Sequence, residues 1–287
     1  MSVTDYFAAA RERYAILLRR RAGLPRPWTN DPVFKEWKFT CVHREDDRTT
    51  TWLRENVRDP QAENPVGALM STVAFRWFNR IETGEKLLPV LLRPDGWDLG
   101  EAAAVLDDQT DKIFTAAYII RSDFGERKVD SVARAIENIY ADREKIVAEI
   151  REHNTLEHAC EVLTRYHLMG SFMAYEVVSD LRWTCLLRDA VDIMSWACPG
   201  PGAARGLGRA LYDDVGRYNY TGGKKQKEEM LDEMRELLEV CQDPTYWPRS
   251  YRKWEMREVE HWLCEYDKLV RARSGEGRPK QRFYPHA

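Results

Sequence analysis

Tyr166-His167-Leu168-Met169-Gly170-Ser171-Phe172-Met173-Ala174-Tyr175-Glu176 reads as helix, glycine turn, helix. Strand signals are scarce on either side of it, and helical periodicity dominates. A hairpin of this kind exposes backbone N–H groups at the start of its second helix, around Gly170 and Ser171. A phosphate can dock there without sequence readout. An ordinary αα-turn is the alternative reading.

Upstream of the hairpin, apolar-periodic segments lie at 65–82, 100–107, 111–121, 128–150 and 155–165. From the hairpin onward they lie at 170–182, 186–197, 203–216, 224–241 and 254–272. Thr4 is placed to cap a first helix ending near Arg21, and Gly23-Leu24-Pro25-Arg26-Pro27 stops it. A second helix starts after Asn30-Asp31-Pro32, with proline at the first helical position. Residues 49–56 read as helix, closed by Asp59-Pro60, and Thr83-Gly84 reads as a further break. The expected fold class is all-α: a two-lobed helical body over 1–272, followed by a basic tail over 273–287.

The chain has 287 residues, 44% hydrophobic and 32% charged, which suits a globular protein with a core and excludes intrinsic disorder. No apolar run approaches the roughly 18 residues of a membrane span, and the N-terminus lacks the apolar core of a signal peptide. A cytoplasmic location is therefore expected. Six cysteines are scattered without a CxxC pair, which argues against zinc, an iron–sulfur cluster or a disulfide scaffold. No metal site and no cofactor are expected.

The formal net charge of −3 conceals 32 Arg against 12 Lys. Arginine recognises phosphate and carboxylate bidentately, so its placement matters. Arg11, Arg13, Arg19, Arg20, Arg21 and Arg26 face Glu12 alone within residues 11–26. Residues 205–227 hold three Arg and three Lys, Lys224 and Lys225 among them, interleaved with Tyr212, Tyr218 and Tyr220. Such local basic density fits a phosphate-tracking surface.

Four motifs could carry chemistry. In Lys38-Phe39-Thr40-Cys41-Val42-His43-Arg44-Glu45-Asp46-Asp47-Arg48, Arg44 and Arg48 are four apart. On a helix they would clamp a phosphate from one face, unless the segment is only a solvated helix start. The hairpin is followed by Asp180, Asp189 and Asp192. In Cys198-Pro199-Gly200-Pro201-Gly202-Ala203-Ala204-Arg205-Gly206-Leu207-Gly208-Arg209, Gly200 and Gly202 free the backbone for an anion-binding nest beside Arg205. This run is not a Walker loop, because Lys-Ser/Thr is missing. Arg257–Lys268 is an amphipathic helix in which Glu258/Glu265 and Glu260/Asp267 recur at seven-residue spacing. Its His261 reads as structural rather than as a metal ligand.

These motifs resemble a known family. Lys38–Leu53 resembles its KFTNxxRExDRxxxxL element, Gly170–Leu181 its GxFxAYQxxxDL element, Pro199–Leu207 its GPGAxxGL element and Glu258–Lys268 its xVEHxLCEFDK element. Cys41 stands where Asn is usual, and Glu176 where Gln is usual. The family is the bacteriophage amino acid:DNA transferases, first described as α-glutamyl/putrescinyl thymine pyrophosphorylases. They are related to helix-hairpin-helix DNA glycosylases and to the helical domain of hydroxymethyl-deoxyuridine DNA kinases.

The resemblance implies a helix-hairpin-helix architecture and a reaction in the cytoplasm of an infected bacterial host. The enzyme would flip 5-phosphomethyl-deoxyuridine out of duplex DNA. It would then replace the phosphate with the amine of a free amino acid, glycine first among them. The expected catalytic residues are Asp192 or Asp47 as base, Arg44 and Arg48 at the leaving phosphate, and Glu176. Lys38, Gly170, Ser171, Gly200, Gly202, Arg205, Lys224 and Lys225 are expected at DNA or phosphate. Cys41, Tyr175, Asp180, Glu260, Glu265 and Lys268 complete the candidates. A DNA glycosylase using Asp192 and a non-catalytic DNA-binding module are the alternatives. No lysine lies between Gly170 and Arg205 to serve as the nucleophile of a bifunctional glycosylase.

Overall fold

The computed structural model describes residues 2–107 and 112–283, and no strand forms among them. The helices are α1 (Val3–Arg21), α2 (Pro32–Glu36), α3 (Arg48–Leu53), α4 (Asp59–Gln61), α5 (Pro65–Phe78), α6 (Ile81–Leu91) and α7 (Leu99–Asp107). They continue with α8 (Lys128–Ala141), α9 (Arg143–His153), α10 (Leu156–Thr164), α11 (Ser171–Leu181), α12 (Pro201–Tyr212), α13 (Lys224–Val240) and α14 (Met256–Ser274). Two compact units form: Met1–Asp47 with Met194–Ala287, and Arg48–Ile193.

In the first unit α1 begins two residues earlier than a Thr4 cap predicts. Ser2 is the cap, its hydroxyl accepting the Asp5 N–H at 3.3 Å. α1 buries Tyr6, Phe7, Tyr14 and Leu17. Tyr6 packs edge-on against Trp254 and Tyr266, and its carbonyl accepts the Trp262 indole N–H at 3.2 Å. Asp31 caps α2 by accepting from Val33 and Phe34, with Pro32 at the first helical position as the sequence predicts.

Two glycines of the α12 run serve packing against α14. A Cβ at Gly202 would stand 2.4 Å from Sγ of Cys264, and one at Gly206 would stand 2.0 Å from the Leu263 carbonyl oxygen. The glycines bring α12 onto the backbone of α14, a contact no side chain permits. Gly200 keeps an open environment as the N-cap of α12.

The predicted tail is partly docked. Lys38 N–H donates to Gln281 O at 3.0 Å and Phe283 N–H to Glu36 O at 2.9 Å, around an antiparallel bridge between Trp37 and Arg282. Residues 284–287 of that segment lie outside the described residues.

The second unit centres on α5, buried from Gly67 to Phe78, as an all-round apolar helix requires. Several boundaries differ from expectation. Thr83-Gly84 lies inside α6, because a Cβ at Gly84 would meet the Trp52 ring at 2.5 Å and Phe75 at 2.6 Å. Pro60 does not close the helix over 49–56. A π turn over Arg54–Arg58 leads into α4, where proline occupies the first turn. The 128–150 segment divides at Asp142 into α8 and α9. Residues 112–121 are irregular, and the segment's first residue, 111, is outside the described set. The predicted helix over 186–197 is a series of turns.

The second unit also buries an ion cluster. Arg76 grips Asp180 through Nε at 2.6 Å and Nη2 at 3.0 Å, and Arg58 Nη1 lies 3.7 Å from the same carboxylate. Thr50 and Asn79 each accept a further Arg76 proton. Removing one partner of such a pair costs about 3–5 kcal/mol. Asp180, named among the further site candidates, is therefore a core residue of the second unit.

Candidate active site

The first and fourth motifs meet in the first unit. His261, Glu265 and Lys268 fall at i, i+4 and i+7 on one face of α14, beginning just after its capping box of Glu255 and Glu258. The 38–47 segment lies along that face. Thr40 donates its N–H to Glu265 Oε2 at 2.9 Å, and Lys268 Nζ holds the same oxygen at 2.6 Å while sitting 4.7 Å from the Phe39 ring centre. His261 Nε2 is 3.0 Å from both the Cys41 carbonyl oxygen and Thr40 Oγ1. Because the carbonyl can only accept, Nε2 carries the proton in this arrangement.

Asp47 completes the cluster. Its Oδ1 accepts the Cys41 N–H at 2.8 Å, and its Oδ2 lies 3.9 Å from His261 Nε2. The Asp47 side chain stays 26% exposed although its Oδ1 is fixed by the Cys41 N–H. Arg13 braces the segment from α1, donating to Phe39 O at 3.1 Å and approaching Cys41 Sγ at 3.4 Å. Glu260 lies 3.8 Å from Arg257 on the same helix.

Electrostatics separates the roles. Burial opposes ionisation of Glu265 most strongly, yet Lys268, His261 and the Thr40 N–H together hold its carboxyl below the ordinary carboxylate value. Burial, then Asp47, pushes the Cys41 thiol up to about 12. Cys264 is an exposed residue whose sulfur is tucked against Gly202; its desolvation, followed by Glu260 and Glu265, brings that thiol to about 12 as well. Neither cysteine offers a thiolate near neutral pH.

Other expected site residues are distributed differently. Arg44 and Arg48 do not share a helix face. Arg44 is 5% exposed in a 3₁₀ turn over Arg44–Asp46, Asp47 is extended, and the exposed Arg48 opens α3 in the second unit. Lys38 is exposed beside the docked residues 281–283. Arg205 is held by Asp267, which Arg209 also holds at 3.0 Å, and Arg271 approaches that carboxylate at 3.2 Å. It is thus built into the α12–α14 contact. Lys224 and Lys225 are exposed in the first turn of α13.

In the second unit α10, a turn and α11 form the expected hairpin. The strained residue is Leu168, at φ 62°, whereas Gly170 is an extended N-cap and Ser171 starts α11. Tyr175 is buried in α11, and Glu176 accepts the Tyr118 hydroxyl at 2.6 Å. Asp192 accepts the N–H groups of Leu156 at 2.7 Å and Glu157 at 3.0 Å, closing the start of α10 beside Thr155. It thus caps the start of α10.

Sequence reading missed Thr40, Arg13 and the central position of His261. The spacing of His261, Glu265 and Lys268 was the available signal.

Comparisons with known proteins converge on one family. The family model described as "5-hmdU DNA kinase, helical domain" matches residues 1–278. A 5-hmdU DNA kinase of Bacillus phage SP10 is 26% identical over 292 residues, covering 92% of this chain. The chain spans only 44% of that protein's length. No solved structure matches it.

Proposed function

This chain belongs to the family of 5-hmdU DNA kinase helical domains, and from that premise we propose that it acts in thymidine hypermodification of phage DNA, as an amino acid:DNA transferase. The substrates are duplex DNA bearing 5-phosphomethyl-deoxyuridine and a free amino acid, glycine first. The amine nitrogen bonds the exocyclic methylene carbon as the carbon–oxygen bond breaks. Phosphate leaves with the electron pair, and the proton lost from the ammonium passes to a carboxylate.

The carboxylate pinned between Cys41 N–H and His261 carries the reading. Asp47 has one oxygen fixed and a side chain still part-exposed, as a general base for an incoming amine requires. Exposed Lys38 is a cation of the first unit available to the departing phosphate, and Arg44 acts from within its turn as a positioning residue. The raised thiols of Cys41 and Cys264 favour direct displacement over an enzyme-bound intermediate. Transfer is favoured over phosphorylation in this chain because its glycine run packs α12 on α14 and has no Lys-Ser/Thr to hold a nucleotide. The Asp192 contacts with α10 give the glycosylase reading less support.

Incubation with phosphomethyl-uracil DNA and an amino-acid mixture, followed by nucleoside mass spectrometry, tests the proposal. The expected result is release of phosphate and a nucleoside in which the phosphate is replaced by one amino acid linked through its nitrogen. Unchanged nucleosides with every amino acid refute it, and abasic sites point instead to a glycosylase.

A further inference from the structure

We propose that the first unit carries a docking surface for an unpaired DNA strand, with one base seated against Trp28 and the backbone tracked by Arg26, Lys280 and Arg282. The inference rests on the reading that DNA is the substrate, and it names a surface for an unpaired strand of that DNA, apart from the Asp47–His261 cluster.

Residues 26–38 and 280–283 run beside one another through the Trp37–Arg282 bridge and its flanking hydrogen bonds. Aromatic rings and cations alternate along them. The Arg26 guanidinium lies 4.8 Å from the Trp28 ring centre, Arg282 lies 5.5 Å from that of Trp37, and Phe283 meets Trp28 edge-on at 6.3 Å. Arg26, Lys35, Lys38, Arg278, Lys280 and Arg282 are all exposed. Across 26–38 and 278–283 the only carboxylates in the sequence are Asp31 and Glu36. Arg273 engages Asp31, and Arg282 lies 3.6 Å from Glu36. An excess of cations with interleaved rings is the pattern that follows a phosphate backbone and stacks its bases.

Trp28 also lines a cavity of about 510 Å³, shared with Arg19, Thr29, Asn30, Asp31 and Glu12. That volume suits a nucleotide-sized ligand. Its two acids are already neutralised, Glu12 by Arg19 at 3.1 Å and Asp31 by Arg273 and the α2 N–H groups. The cavity therefore does not repel an anion at its positive rim. Asn30 offers both an acceptor and donors to a base edge. A lipid surface fits less well, because the rings are half-buried under guanidinium groups, whereas membrane binding needs apolar groups free to insert.

The test is fluorescence anisotropy with a labelled single-stranded oligonucleotide of about 15 nucleotides across a salt series. The proteins are the full chain, the triple variant Arg26→Ala/Lys280→Ala/Arg282→Ala, and Trp28→Leu, each checked for an unchanged melting temperature. The triple variant is expected to bind at least about tenfold more weakly, with the slope of log affinity against log salt reduced by about 2. Trp28→Leu is expected to weaken binding roughly 5- to 150-fold at an unchanged slope. Wild-type affinity and slope in both variants overturn the surface. So does binding to phosphatidylserine vesicles with the same residue dependence when the oligonucleotide is not bound. If the wild-type chain modifies DNA while the variants bind normally, the surface falls and the transferase reading stands. If the variants lose oligonucleotide binding while the wild-type chain yields no modified nucleoside, the surface stands and the transferase reading falls.

Discussion

The Asp47 carboxylate accepts the Cys41 N–H at 2.8 Å through one oxygen and points the other toward His261 Nε2, 3.9 Å away. One oxygen is spent on architecture and the other is left for chemistry. Asp47→Asn keeps an acceptor for the Cys41 N–H and removes the base. Turnover is expected to fall by roughly 10²–10⁴, with DNA affinity within about twofold of wild type. Time courses by nucleoside mass spectrometry and a parallel binding isotherm check this; turnover near wild type excludes Asp47 as the base.

Cys41→Ser and Cys264→Ser should each retain turnover within a few-fold, because neither sulfur is a thiolate at neutral pH. Iodoacetamide labelling of both thiols should be slow at pH 8 and accelerate only in strong alkali. A loss of turnover as large as that expected for Asp47→Asn would reinstate a covalent route.

Gly206→Ala is expected to destabilise the first unit by about 1–3 kcal/mol or more, since the new Cβ meets backbone at Leu263 and has no flexible neighbour to displace. Gly202→Ala should cost less, as the obstacle there is the Cys264 sulfur, which can rotate. Urea unfolding of the two variants gives the comparison. Equal costs would mean that α12 and α14 can separate freely.

Acid should act through Glu265. Its folded pKa lies below the ordinary 4.5. Its stabilising contribution is therefore complete above about that pH and disappears as pH falls through the folded value. Melting temperatures between pH 6 and pH 3 should fall more steeply in the wild type than in Glu265→Gln. Parallel curves, or a wild type stabilised by acid, contradict the assignment.

The local rules were legible in the sequence: the Asp31-Pro32 start of α2, the hairpin between α10 and α11, and the span of α14 follow from caps, turns and periodicity. Tertiary contact decided what those rules left open. Gly84 looks like a helix break until the Trp52 and Phe75 rings are placed against it. Gly202 reads in sequence as part of a phosphate loop because both uses demand a missing Cβ, and only its contact with Cys264 shows the packing role. Asp192 stands among the expected bases, yet its oxygens meet two helix-start N–H groups that no pattern places there. The candidate site was half legible: both halves stood out as motifs, but the pairing of Thr40 with His261 crosses 221 residues.

That separation bears on the order in which a ribosome could assemble the molecule. The first unit takes its two parts from either side of Arg48–Ile193, so the intervening unit has all its residues before α12 and α14 emerge. The aromatic core around Tyr6 must wait for Trp254, Trp262 and Tyr266, leaving α1 without these partners while the whole intervening unit is made. Asp47 likewise acquires its neighbour His261 only after that unit has emerged, so the Asp47–His261 cluster cannot form on a nascent chain before its first unit closes.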